Sequence, residues 1–106
     1  MMSGKLGSAA LVADTTTTVY TVPASTVATL NIALVNRGTD PAKVRVAITD
    51  AVAPGDADWV EYDATIPAAG GVLERTALVA GAGENIIIHS DVGSVSARVH
   101  GFEEAE

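Results

Sequence analysis

The sequence predicts an all-β domain: an antiparallel β-sandwich, jelly-roll or immunoglobulin-like, with about seven or eight strands. Three observations predict it. Turn-forming clusters punctuate the chain at short, regular intervals. The segments between them run to about 6–11 residues, the length of strands. Those segments alternate apolar and polar residues with a period of two, and none sustains a helical period.

The breaks fall at Asp14–Thr15, Pro23–Ser25, Asn36–Pro41, Pro54–Asp56, Pro67–Gly71, Gly81–Gly83 and Asp91–Gly93. Gly supplies positive φ, Pro presets φ, and Asn or Asp closes a turn through its own side chain. Between the breaks the spacing predicts strands over Thr17–Val22, Val27–Asn36, Ala42–Val52, Trp59–Ile66, Val72–Val79, Glu84–Ser90 and Ser94–Phe102, with an eighth over Leu6–Val12. Leu30, Ile32 and Leu34 share one face, as do Val44, Val46 and Ile48, and Val95, Ala97 and Val99. Strict alternation over Trp59–Ile66 sets Val60, Tyr62, Ala64 and Ile66 on one side, which assigns Tyr62 to the core. It sets Trp59, Glu61 and Asp63 on the other. The run Ile86-Ile87-Ile88 implies a strand covered on both faces. A β-barrel is the alternative closure. Residues 1–7 read as an N-terminal arm or an added strand, residues 8–102 as the sandwich, and residues 103–106 as an acidic, mobile tail.

Composition narrows the function classes. The chain has 106 residues, enough for one domain with a modest core. Hydrophobic residues make up 48%, too many for a disordered chain. Aromatic residues are few (one Trp, one Phe, two Tyr), and small apolar side chains suit thin layered sheets. Thirteen acidic residues against six basic ones give a net charge of −7, which repels phosphate backbones and anionic membranes. Neither nucleic acid nor a membrane is expected as a partner. The absence of cysteine rules out disulfides, thiol catalysis and thiolate zinc sites. No apolar run approaches the roughly 18–20 residues of a membrane helix, and Met1–Ala10 does not read as a signal peptide. A bacterial cytosol, or a particle assembled there, fits this usage.

Candidate chemistry is sparse. His89-Ser90-Asp91 has the residue types of a triad, but neighbours on a strand point to opposite faces and cannot form a relay. Asp56, Asp58, Glu61 and Asp63 could hold a hard cation if they converged, although their spacing matches no calcium loop. Gly70-Gly71 and Gly81-Ala82-Gly83 each precede a strand rather than a helix, so they are turns and not phosphate cradles. Arg37-Gly38-Thr39-Asp40 is a plain loop. Trp59 is the aromatic most suited to binding, either as an interface anchor or packed under a loop. It could also stack a sugar ring, and with the acidic cluster it motivates an alternative reading as a carbohydrate- or receptor-binding module. Arg75 and Arg98 each interrupt an apolar strand, and His100 lies close to the second. With Trp59 these form the expected interface set. No catalytic residue, metal or cofactor is expected.

One ordered series of segments adds to this. It comprises Thr18-Val19-Tyr20-Thr21-Val22-Pro23-Ala24, Asn31-Ile32-Ala33-Leu34-Val35-Asn36-Arg37-Gly38, Val60-Glu61-Tyr62-Asp63-Ala64-Thr65-Ile66-Pro67, Leu73-Glu74-Arg75-Thr76, and Ser96-Ala97-Arg98-Val99-His100-Gly101-Phe102-Glu103-Glu104. Across Leu6 to Glu104 it resembles the small virion structural proteins and fibre-associated β-domains of tailed bacteriophages. The resemblance implies a non-enzymatic β-sandwich on the exterior of a virion, as capsid decoration or as a neck or tail-fibre component. It also implies a homo-oligomer, with a trimer favoured, partnered by other virion proteins and assembled in the host bacterial cytoplasm.

Overall fold

In the computed structural model, which describes residues 2–106, the chain forms eight strands. They are β1 (Ser3–Ala10), β2 (Thr15–Thr21), β3 (Thr26–Asn36), β4 (Ala42–Thr49), β5 (Trp59–Ile66), β6 (Gly71–Ala80), β7 (Asn85–Ser90) and β8 (Val95–Ala105). One sheet has the order β1-β8-β3-β6 and the other β2-β7-β4-β5, with every pairing antiparallel. The first strand therefore pairs with the eighth, the second with the seventh, the third with the sixth and the fourth with the fifth. This is one long hairpin, its tip in loop 50–58, rolled into two layers: a jelly roll. The two sheets share no hydrogen-bonded strand pair, so the structure is a sandwich and not a barrel.

Period-two patterning builds the core directly. Along β3 every second residue is buried, and Leu30, Ile32 and Leu34 face inward beside Val95, Ala97 and Val99 of β8. The facing sheet contributes Tyr20, Val44, Val46, Ile66, Ile86 and Ile88. Ile86, Ile87 and Ile88 are all buried, as the apolar run implied, with Ile87 in register with buried Ala47 on the outward face. Gly101 has φ of +152°, and a Cβ there would run into the Thr29 carbonyl across the β3–β8 pairing. Only glycine lets the two backbones approach so closely.

Of the two readings open for the N-terminus, the structure has the added strand, and the C-terminus differs from the expected mobile tail. Met1 lies outside the described residues, while Ser3–Gly7 belong to β1 and pair with β8. Glu103, placed in the tail by the sequence reading, is buried within β8. The Tyr20 hydroxyl donates to Glu103 Oε2 at 2.5 Å, and the Met2 amide donates to Glu103 Oε1 at 3.1 Å. The Glu103 amide in turn donates to the Met2 carbonyl at 2.8 Å. Ser3, Gly4, Lys5 and Gly7 carry little strand propensity of their own. Their partners on β8 hold them, and those pairings are long-range.

These contacts set a pH dependence. The Tyr20 hydrogen bond, then the Met2 amide, hold the Glu103 carboxyl below its usual range. Burial and Glu103 together push the Tyr20 hydroxyl well above its usual value. A depressed carboxyl stabilises the fold above its unfolded value, and that contribution is lost as pH falls through the lowered native value. The urea midpoints of wild type and Glu103→Gln should therefore differ by a constant amount between about pH 5 and pH 9, below the tyrosine range, and converge in acid. A gap that persists unchanged into strong acid would remove Glu103 as the titrating group.

Candidate functional site

Strand β5 departs from strict alternation, and this creates the most distinctive surface of the molecule. Its pairing with β4 shifts register between Val44 and Val46 and again between Val46 and Ala47. Asp63 sits at φ of 53°, a conformation Asp tolerates better than most residues. A bulge of this kind re-aims the side chains beside it. Tyr62 is consequently 57% exposed rather than in the core, which corrects the assignment from alternation. Trp59 and Tyr62 lie side by side and not on opposite faces of the strand. Their ring centroids are 5.3 Å apart with planes at 73°.

Charge then fixes the aromatic pair. The Arg45 guanidinium stacks over Tyr62, 4.0 Å from the ring centroid. Its Nε and Nη2 donate to the two carboxylate oxygens of Asp63 at 2.6 and 3.1 Å. This bidentate bond holds the Asp63 carboxyl below its ordinary range and raises Arg45. Asp63 is exposed and Arg45 only half-buried, so the pair orients the ring more than it stabilises the fold. Asp56, Trp59 and Tyr62 line an open cleft of about 310 Å³.

The acidic residues around β5 and the His89-Ser90-Asp91 run make separate contacts. Of the four acidic residues, Asp58 accepts the Gly55 amide at 2.7 Å, Glu61 binds Arg75 at 2.5 Å, and Asp63 binds Arg45. Their carboxylates are spent on separate contacts, and among the described residues no three metal-ligating side chains converge. In the His89-Ser90-Asp91 run, Ser90 bonds Val92 and Asp91 Oδ1 accepts the Lys43 amide. These bonds close the β7–β8 turn and tie it to β4, and no relay forms.

The interface set is split among three places. Trp59 belongs to the aromatic corner on the β2-β7-β4-β5 sheet. Arg75, on β6, reaches between the sheets and donates to the Val60 carbonyl at 3.0 Å as well as to Glu61. It ties the two edge strands β5 and β6 together. Arg98 and His100 share the outer face of the β1-β8-β3-β6 sheet. There Arg98 is exposed, while the half-buried His100 has an Nδ1 atom that is shielded and without a hydrogen-bond partner among the described residues.

That outer face is built from small side chains. Ladder rows run Ala10–Ser96–Val35–Val72 and Ser8–Arg98–Ala33–Glu74. A shallow depression of about 590 Å³ opens over Ser8, Ala10, Ala33, Val35, Ser96 and Arg98. Val72, Val79 and Phe102 add exposed apolar surface on the same sheet.

The chain is thus an eight-stranded jelly roll with one small-residue sheet face and one aromatic corner. No protein-family model matches it, and no curated protein matches it. Two crystal structures of a pentameric capsid protein isolated from metagenomic phage sequences are similar, each 13% identical with a TM-score of 0.44. Each likeness covers 92% of this chain and 63% of the other, so the chain spans less than two thirds of their length. Overlap of this degree assigns no function.

Proposed function

We propose that the chain is a non-enzymatic structural subunit of a bacteriophage particle. It would sit on the exterior as capsid decoration or as a neck or tail-fibre component, working by assembly with copies of itself and other virion proteins. The observation that carries this reading is the outer face of the β1-β8-β3-β6 sheet. Its small side chains let another backbone approach closely, and exposed Val72, Val79 and Phe102 supply apolar area to bury. Arg98 and Glu74 flank Ala33 in one row, so a neighbouring copy can set its own Glu74 against Arg98. The jelly roll itself recurs in viral capsid and lectin domains, which agrees with the reading at the level of fold analogy. The sequence resemblance favours a trimer.

Light scattering on the purified chain tests this. The wild type should form a discrete oligomer at high concentration. Arg98→Glu should dissociate it, and Arg98→Glu with Glu74→Arg should restore it. A strict monomer that also fails to bind capsid or tail proteins would overturn the proposal.

A further inference from the structure

We infer that the corner formed by Trp59, Tyr62 and Asp56 is a binding site for a neutral saccharide. It lies on the sheet opposite the proposed assembly face and does not depend on that reading. Two aromatic planes at 73° give a floor and a wall, and ring faces carry negative potential that attracts the polarised C–H groups of a pyranose. The Asp56 carboxylate on the same cleft accepts hydroxyl hydrogen bonds. A volume of about 310 Å³ admits a sugar ring with its substituents open to solvent.

The charge around the rings selects the ligand class. An anionic sugar would meet Asp56 in a chain of net charge −7. An organic cation would find a face of Tyr62 already occupied by the Arg45 guanidinium. A neutral polyhydroxyl ligand meets neither obstacle. The ring is also fixed in advance, because Arg45 is clamped by Asp63 at 2.6 Å while it stacks on Tyr62. Ordering the site before the ligand arrives reduces the entropic cost of binding.

The experiment is an array of neutral and sialylated oligosaccharides probed with wild type, Trp59→Ala, Tyr62→Ala and Asp56→Asn. The strongest neutral hit and tetramethylammonium chloride are then titrated against the fluorescence of Trp59, the only tryptophan in the chain. Neutral glycans should be retained and should shift the emission. Each substitution should weaken binding by on the order of tenfold. Tyr62 is largely exposed, so Tyr62→Ala preserves the fold and keeps the test valid if Trp59→Ala unfolds. Retention of no neutral glycan, preference for sialylated glycans, a stronger response to tetramethylammonium, or binding indifferent to Tyr62→Ala would each overturn the inference. None of these results bears on the oligomeric state.

Discussion

Asn36→Ala should lower the unfolding free energy by about 2–4 kcal/mol, measured by urea denaturation. The side chain is 0% exposed and uses all of its hydrogen-bonding capacity that the site offers. Its Nδ2 donates to the Asp40 carbonyl at 2.8 Å and to the Ile66 carbonyl at 3.3 Å. Its Oδ1 accepts the Gly38 amide at 3.0 Å and the Ser94 hydroxyl at 2.8 Å. One amide thus joins the end of β3, its following loop, the end of β5 in the opposite sheet and the start of β8. Alanine removes the amide, leaves the buried Ile66 carbonyl without this donor and frees the two loops that the amide holds. Asn36→Asp should be at least as damaging, because it replaces the donor with an acceptor and adds a buried charge. An alanine variant within about 0.5 kcal/mol of wild type would show that the network contributes nothing net.

Leu34→Ala should cost about 3 kcal/mol and lower the melting temperature by roughly 10–20 °C. Leu34 is fully buried in β3, in register with Ala97 on one side and Leu73 on the other. Truncation loses apolar burial and leaves a cavity that flanking strands, hydrogen-bonded on both sides, cannot easily fill. A domain of this size has total stability on the order of 5–15 kcal/mol, so the loss is a large share. Val52→Ala, in loop 50–58, supplies the contrast: its side chain is 98% exposed, and the variant is expected within about 0.5 kcal/mol of wild type. Equal effects at the two positions would contradict the burial pattern.

The strand set and the core were legible wherever alternation is strict. Leu30, Ile32 and Leu34, Val44 and Val46, and Val95, Ala97 and Val99 all face inward as their spacing implies. Each such strand carries its own instruction, because a one-residue slip would turn every apolar side chain to water. The doubly buried Ile86-Ile87-Ile88 run was legible for the same local reason. The aromatic corner was not. Its formation needs the β4–β5 register shifts and the positive φ at Asp63, and alternation continued through them sends Tyr62 inward. The available signal was Asp63 itself, a residue type that tolerates positive φ in mid-strand. The convergence of the acidic group was equally undecidable from spacing, since Glu61 and Asp63 are drawn to arginines on other strands.

The sequence by itself determined an all-β domain of short strands, because period-two patterning and turn chemistry act over a few residues and leave little choice. Tertiary structure alone decided that the sandwich is a jelly roll, since strand order depends on pairings such as β1 with β8 that no local pattern encodes. It also decided between arm and strand for Ser3–Gly7, and it carried β8 on through Glu103 to Ala105. Glu103 turns inward only because Tyr20 and Met2, remote in sequence, supply its hydrogen bonds. The same holds for Tyr62, whose place at the surface follows from a bulge that exists only once β4 and β5 are paired.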